Sequence, residues 1–195
     1  MKARVGPIVT ILAAAFCSLP PAARAQLNLN PLAGYYSNIP RAVRANDVGR
    51  VRSLLSDGNS PNQTDEDGAT TGMHIAAANG NLQLMAILYK AGGDINERDP
   101  VGNTPLDQAA DHGQVEAVRL LIELKARVNE QNKNGMTALM FAARTGDPEL
   151  VRILLAGGAN PNILDYTGRD AAGWALESHR QSLVQMLKDA ENRKR

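Results

Sequence analysis

The side chains of this protein that could exchange a proton near neutral pH are three histidines, His74, His112 and His179. They lie far apart in the sequence with no cysteine near them, so they do not form the close ligand pairs of a zinc site. The sequence also contains no glycine-rich phosphate loop, no nucleophile elbow and no HExxH helix. It therefore predicts no catalytic residue, no metal site, no cofactor, and a protein that is not an enzyme.

A short acidic segment at 65–67, followed by Gly68, could be taken for a calcium-binding loop. It lacks the alternating oxygen ligands and the distal glutamate of an EF-hand loop. Its first residue instead occupies a recurring position, three residues after a recurring asparagine. Short polar side chains at such a position bond nearby backbone amides, which predicts a turn at each of Asp65, Asp99, Asn132 and Asp165.

The recurrence covers most of the chain. Three glycines, three asparagines and three apolar residues each stand 33 residues apart: Gly80, Gly113 and Gly146; Asn96, Asn129 and Asn162; Met73, Leu106 and Leu139. A fixed period in this range indicates a repeat architecture. Within each period, apolar residues at i, i+3 and i+4 predict two short amphipathic helices.

Two short helices cannot bury a full core alone, so the core must form between stacked repeats. The first helices contribute a column of small residues that lets neighbours approach closely, and the second helices contribute two columns of larger ones. These predicted core columns are Ala76, Ala109, Ala142 and Ala175; Met85, Val118, Val151 and Val184; and Leu88, Leu121, Leu154 and Leu187.

Two hexapeptides resemble the T-P-L-H-x-A core of the ankyrin repeat: TPLDQA at Thr104–Ala109 and TALMFA at Thr137–Ala142. The resemblance implies an all-α solenoid of about five helix-turn-helix units with β-hairpin connections, curved into an array with a concave face. It places the repeat domain at 39–195, with an N-terminal cap at 39–66, repeats at 67–99, 100–132 and 133–165, and a C-terminal cap at 166–195. It also implies that His74, in the T-P-L-H column, is a buried framework residue.

The repeats depart from their own pattern in a few places. The second repeat has one additional residue in the turn before its first helix, where extra length is tolerated. Lys125 and His179 stand where the other repeats have glycine. If the backbone has positive φ at Lys125, lysine costs roughly 1 kcal/mol relative to glycine there.

Residues 1–25 have the composition of a secretory signal peptide of a bacterial exported protein. Lys2 and Arg4 precede an apolar run from Ile8 to Phe16, and small residues allow cleavage after Ala25. The alternative is a membrane anchor, but the run falls short of the roughly 20 residues that span a bilayer. We therefore expect export to the periplasm of a Gram-negative bacterium, with a flexible arm at 26–38.

Removal of this segment leaves 195 − 25 = 170 residues with 21 − 3 = 18 basic and 20 acidic side chains, a formal net charge of −2. Such a chain lacks the concentrated basic surface of nucleic-acid-binding proteins. The single cysteine, Cys17, leaves with the signal peptide, so the mature chain forms no disulfide. We expect a monomer that spans no membrane and binds no nucleic acid.

The family resemblance implies that a protein partner meets the hairpin tips and the exposed ends of the first helices. Apolar or large residues at four tip positions, near three arginines, have the composition of interface hot spots. The predicted partner-binding residues are Arg98, Val101, Asn103, His112, Lys133, Met136, Arg144, Leu164, Tyr166 and Arg169.

The sequence thus favours a non-catalytic protein-binding module that stabilises or regulates a periplasmic partner. Two alternatives remain at this point. One is an immunity-type inhibitor of a toxic effector in the same compartment, and the other is a structural or self-associating spacer of the envelope. The identity of the partner is not encoded in any motif of the chain.

Overall fold

The computed structural model of the chain describes residues 38–65 and 70–192. The predicted signal peptide, the predicted arm up to residue 37, and the acidic segment 66–69 lie outside the described residues. Within them, ten α-helices follow one another in pairs: α1 (Ile39–Arg44), α2 (Val48–Ser56), α3 (Gly72–Ala78), α4 (Leu82–Lys90), α5 (Pro105–Asp111), α6 (Val115–Glu123), α7 (Ala138–Thr145), α8 (Pro148–Ala156), α9 (Ala171–Glu177) and α10 (Gln181–Asn192).

Each pair is one helix-turn-helix unit, and side-chain caps define where many of the helices begin. The Thr104 hydroxyl accepts a hydrogen bond from the Asp107 amide while the Asp107 carboxylate accepts one from the Thr104 amide, so α5 starts with a complete capping box. Asp47, Asn81 and Asp147 cap the second helices α2, α4 and α8 at equivalent positions. The caps satisfy amides that have no partner within the helix.

The core lies between the units, as the sequence predicts. The alanine column of the first helices is fully buried, and so are Met85, Val118 and Val151 of the second helices. Val184, in the last unit, is only partly buried. The first helices pack against one another more extensively than the second helices do, because alanine allows a closer approach.

The units are joined by tight turns, which we call tips and which lie at residues 98–103, 131–136 and 164–169. A backbone hydrogen bond joins the two ends of each tip, from Asp99 N–H to Asn103 O at 2.9 Å, Asn132 N–H to Met136 O at 2.9 Å, and Asp165 N–H to Arg169 O at 2.8 Å. Neighbouring tips are bonded to each other as well, through Lys133 N–H to Val101 O at 2.9 Å and Tyr166 N–H to Asn134 O at 3.2 Å. In residues 38–65 and 70–192 the hairpins contain no strand, and the one β-bridge joins Thr64 and Thr71.

The two residues that replace glycine in the repeat pattern have the positive φ that the pattern predicts. Lys125 has φ 70° and His179 has φ 58°, both in the left-handed region, and Gly158 has φ 95° at the position equivalent to Lys125. The structure is thus an all-α solenoid of helix-turn-helix units. Across the two described ranges, no helix has both the length and the apolarity needed to cross a bilayer.

Candidate functional site

The three histidines occupy unrelated environments. His74 is buried, with its ring nitrogens 2.8 Å from the Thr71 hydroxyl and 3.1 Å from the Asn103 carbonyl oxygen, so it joins the second unit to the third. Burial lowers the pKa of His74. His112 is exposed, and its Nδ1 lies 2.8 Å from the Gln108 carbonyl oxygen. In the part of the chain that the structure describes, no cluster of three histidine, cysteine or acidic side chains could hold a metal.

The recurring Asp or Asn side chain organises every tip that we defined. Asp99 Oδ1 accepts from the amides of Val101 and Asn103, at 2.9 and 2.8 Å. Asp165 Oδ1 accepts in the same way from the amides of Thr167 and Arg169, at 2.8 and 2.9 Å. Asn132 Oδ1 accepts from two tip amides at 2.9 Å each. The predicted turn chemistry is therefore confirmed, and it leaves the outer side chains of each tip free to vary.

Three of the four apolar tip residues are exposed. Val101, Leu164 and Tyr166 keep 47%, 54% and 73% of their surface in contact with solvent. The prediction that Met136 is an exposed tip residue is wrong, because its side chain is 5% exposed and belongs to the core. Met136 is the last residue of its tip and immediately precedes Thr137, the N-cap of α7. Its amide donates to Asn132 Oδ1, and its carbonyl oxygen accepts from the Asn132 amide. The chain has already turned inward at that point.

Two predicted residues at the third unit hold the framework together. The Asn103 amide donates to Asp99 Oδ2 at 3.2 Å, and its oxygen accepts from the Asn132 amide at 2.7 Å, which links two neighbouring tips. Arg98 forms an ion pair with Glu130 at 2.9 Å and donates to the Gln131 carbonyl oxygen. Both residues thus have polar partners within the chain, which links the tips of neighbouring units.

A different arrangement appears at the fourth and fifth units, where arginines stack on aromatic rings. The guanidinium carbon of Arg169 lies 4.0 Å from the centroid of the Trp174 ring. That of Arg144 lies 5.0 Å from the Phe141 ring and 6.0 Å from the Trp174 ring. These distances are those of cation–π contacts. We call Phe141, Arg144, Arg169 and Trp174 the arginine–aromatic cluster.

Hydrogen bonds and ion pairs hold the cluster in place. Arg144 forms an ion pair with Asp111 of the preceding unit, and Arg169 forms one with Glu177. The Trp174 indole N–H donates to Asp165 Oδ2 at 3.0 Å. Burial acts to raise the pKa of Asp165, but the hydrogen bonds from Thr167, Arg169 and Trp174 outweigh it and lower that pKa. Asp165 therefore remains ionised at neutral pH.

Trp174 belongs to this cluster but is not among the residues that the sequence analysis selected. A signal was present, since Gln108, Phe141 and Trp174 stand 33 residues apart in one column. These three residues lie on successive first helices, on the side near the tips. The change in this column from an amide side chain to aromatic rings is visible in the sequence.

A groove of about 390 Å³ lies between the last two tips and the cluster. It brings together five of the predicted residues, namely Lys133, Met136, Arg144, Tyr166 and Arg169, and adds Trp174. Met136 contributes to its wall despite being buried. The other predicted residues, Arg98, Val101, Asn103, His112 and Leu164, do not line it.

A tight approach of backbone to backbone shapes this groove. Gly135 has φ 78°, and a Cβ at that position would lie 2.7 Å from the Tyr166 amide nitrogen and 2.8 Å from the Tyr166 ring. Only glycine fits there, because both the backbone conformation and the space exclude a side chain. Gly135 therefore allows the last tip to approach the one before it.

A larger groove, about 650 Å³, lies between the second helices α8 and α10 on the other side of the array. Its lining includes Leu155, Met186, Arg152 and Asp189 and contains no aromatic ring. It offers one cation, Arg152, which is paired in charge by one carboxylate, Asp189, and it contains neither tryptophan nor tyrosine, the aromatic residues enriched in interface hot spots. Size alone therefore does not make it the stronger candidate.

Comparison with known families identifies the repeat. The family model described as "Ankyrin repeats (3 copies)" matches residues 40–132 and 124–195. These two matches span the whole of the described array.

Individual relatives match over shorter stretches. An ankyrin repeat-containing protein of Schizosaccharomyces pombe is 48% identical over 56 residues, which is 29% of this chain and 27% of the relative. A putative ankyrin repeat protein of Rickettsia bellii is 34% identical over 92 residues, covering 35% of this chain and 38% of the relative. A potassium channel of Oryza sativa subsp. japonica is 41% identical over 68 residues, only 9% of its length. The chain thus spans less than two fifths of each of these relatives.

Proposed function

The chain belongs to the ankyrin repeat family, and we propose that it is a non-catalytic module of the bacterial envelope that binds a protein partner in the periplasm. Ankyrin repeats imply a protein–protein interaction module, and the family is typically a non-enzymatic scaffold. Binding would stabilise or regulate the partner, since a ligand of the folded state stabilises it by mass action. The contact surface in this proposal comprises the tips and the exposed side of the first helices.

The observation that carries this proposal is the pairing of exposed apolar tips with the arginine–aromatic cluster. Leu164 and Tyr166 are more than half exposed, and they lie on the same tip as Arg169. Tryptophan, tyrosine and arginine are the residues most enriched in interface hot spots. A tip without a partner has little reason to expose large apolar side chains beside such residues.

The periplasmic location is supported by the sequence of residues 1–25, which lie outside the described residues. The basic start, the apolar run of moderate length and the small residues before position 26 are those of a signal peptide. Detection of the mature chain in a periplasmic fraction, with Gln26 as its N-terminal residue by mass spectrometry, is the expected result. A chain that keeps residues 1–25 in the membrane fraction would contradict the location.

The function is tested by an affinity pull-down from periplasmic extract with the wild type and a Leu164→Asp, Tyr166→Asp variant. Both substitutions are on an exposed tip, so circular dichroism should remain unchanged. A matched control is Leu82→Asp, Tyr89→Asp on α4, where both residues are also exposed. We expect one protein to be captured by the wild type and the control and lost by the tip variant. Capture of nothing by any of them would overturn the proposal.

Deletion and light scattering separate the proposed function from its two rivals. Loss of the partner's activity in a deletion strain supports a stabilising or regulatory role. Self-intoxication of the deletion strain would identify an immunity-type inhibitor instead. Size-exclusion chromatography with light scattering should give a monomer, whereas a concentration-dependent assembly would favour an envelope spacer.

A further inference from the structure

We infer that the groove beside the arginine–aromatic cluster takes a short acidic segment of the partner that also carries an apolar side chain. This inference rests on the proposed protein-binding function and gives it a chemical partner class. The groove volume of about 390 Å³ falls in the range that encloses a small ligand rather than a whole domain. A few consecutive residues of a partner are therefore the occupant that fits.

Charge complementarity indicates the sign of that segment. The groove is lined by three cations, Lys133, Arg144 and Arg169, and by one carboxylate, Asp165, so its lining carries 3 − 1 = +2. Asp165 is only 5% exposed, and its oxygens already accept hydrogen bonds from Thr167 and Trp174. Arg144 and Arg169 have acidic partners, Asp111 and Glu177, but these do not line the groove, and all three cations are at least partly exposed. A surface of this kind favours an anionic partner and disfavours a basic one.

The cations retain donors for such a partner. Among the residues that the structure describes, Lys133 has no ion pair, and its ammonium group has three donors. Arg144 uses Nη2 for Asp111, which leaves Nε and Nη1. Arg169 uses Nε for the Thr167 hydroxyl at 2.9 Å and Nη1 for Glu177, which leaves Nη2. Two guanidinium groups and one ammonium group thus converge on one groove.

Stacking on the aromatic rings pre-organises the two guanidinium groups. The Trp174 ring lies between Arg169 at 4.0 Å and Arg144 at 6.0 Å, so each arginine has lost part of its freedom before any partner binds. Groups ordered in advance lose less entropy on binding. A planar guanidinium held at its face still presents its edge, which is the edge that carboxylates bind.

An apolar contact completes the site. The Tyr166 ring is 73% exposed at the rim, and the half-buried indole of Trp174 and the side chain of Met136 form the wall. Beside this surface, one aromatic or aliphatic side chain of the segment would exclude water from the carboxylate contacts. Desolvation strengthens charged hydrogen bonds at an interface centre.

The test is selection from a displayed library of random linear peptides, with the full chain as bait. We expect the wild type to enrich peptides with aspartate or glutamate next to an apolar residue. Lys133→Glu should weaken binding of those peptides by about tenfold or more, since like charges at an interface are strongly unfavourable. Lys90→Glu, an exposed charge reversal on α4, is the matched control and should bind as the wild type does.

Fluorescence then locates the binding, because Trp174 is the one tryptophan of the chain. Titration with a selected acidic peptide should shift the Trp174 emission, and the same peptide with asparagine and glutamine in place of its acids should not. Enrichment of basic or neutral peptides, or none, overturns the inference. So does equal binding by Lys133→Glu, or binding without any change in emission.

Failure of the inference is distinguishable from failure of the proposed function. A partner captured in the pull-down equally by the wild type and by Lys133→Glu would leave the binding function intact and overturn the acidic-segment inference. Capture that depends on Lys133 and weakens with rising salt would support both.

Discussion

The tip of the third unit (residues 98–103) and the tip of the fifth unit (residues 164–169) are built around equivalent carboxylates. Asp99 and Asp165 each hold two tip amides through Oδ1, and each receives a donor on Oδ2 from the residue nine positions later. At the third unit that donor is the Gln108 amide at 2.9 Å, and at the fifth it is the Trp174 indole at 3.0 Å. The same hydrogen bond to the tip carboxylate is thus donated by an amide side chain in one tip and by an indole in the other.

The surroundings of the two carboxylates differ accordingly. At the third unit, Asn103, Gln108 and Arg98 use their polar groups on the chain itself, and Val101 is the exposed apolar residue. At the fifth unit the indole adds a flat surface on which two arginines stack. The turn chemistry thus fixes the backbone of a tip, while the side chain that completes the turn determines which groups its outer surface presents.

The two regions also contain buried carboxylates whose pKa values move in opposite directions. Burial raises the pKa of Asp107, at the start of α5, to about 7, against hydrogen bonds from the Thr104 amide and hydroxyl. Asp165 is buried to a similar extent, but its more numerous donors lower its pKa. At Asp165 the hydrogen bonds outweigh burial, whereas at Asp107 burial outweighs the hydrogen bonds.

The largest expected effect is a difference in pH dependence. Between the ordinary pKa near 3.8 and about 7, the folded state holds a proton on Asp107 that the unfolded state has lost, so stability from this group falls as pH rises. Asp107→Asn should remove this decline, which is on the order of 3 kcal/mol between pH 4 and pH 7.5. Asp165 acts with the opposite sign, because its lowered pKa gives stability that is lost in acid.

Urea unfolding of the wild type and Asp107→Asn across this pH range is the measurement. The difference between the free energies of unfolding of the wild type and of Asp107→Asn should change steeply with pH. Parallel curves for the two proteins would show that Asp107 titrates as an ordinary carboxyl.

The next largest effect is on the affinity for the partner, and it should differ between two exposed tip residues. Tyr166→Ala should weaken binding of the captured partner by about 30-fold, or roughly 2 kcal/mol, as expected for a hot-spot tyrosine. Val101→Ala, at the third unit, should change the affinity by less than about threefold. Calorimetric titration of both variants gives the comparison, and equal losses would move the interface away from the fifth unit.

A smaller effect on stability is expected when the hydrogen bond to Oδ2 of the tip carboxylate is removed, at Asp165 or at Asp99. Trp174→Phe keeps an aromatic ring but removes the donor to a buried, ionised Asp165, and should lower the free energy of unfolding by about 2 kcal/mol. Gln108→Leu should cost less, about 1 kcal/mol, because the Asn103 amide still donates to Asp99 Oδ2. Chemical unfolding at pH 7 distinguishes them, and a larger loss for Gln108→Leu would reverse the comparison.

The smallest effect is at the end of α6 in the third unit. Lys125 has φ 70°, where the fourth unit has Gly158. Lys125→Gly should raise the free energy of unfolding by about 1 kcal/mol, because glycine adopts this backbone without strain. Thermal unfolding would detect the gain as a higher Tm, with the exposed Lys90→Gly in α4 as a control that should lose stability. A lower Tm for both variants would show that the backbone at Lys125 is not strained by the lysine side chain.

The array, its core columns and the turns at Asp99, Asn132 and Asp165 were predictable from the sequence. Each of these features depends on contacts that repeat at a fixed interval, so the sequence of one unit predicts the structure of the equivalent residues in the next. The left-handed backbone at Lys125 and His179 was predictable for the same reason. Candidate binding positions were predictable as columns, and half of them do line the groove.

Tertiary structure alone decided which way the individual side chains of those columns face. Met136 stands in a tip column yet is buried, because the chain turns inward just before Thr137, the N-cap of α7. Arg144 and Arg169, on different units, meet at Trp174 because the two units stack directly on each other. Periodicity determines the backbone of every unit, whereas contacts between non-equivalent side chains of neighbouring units arise only when the units stack.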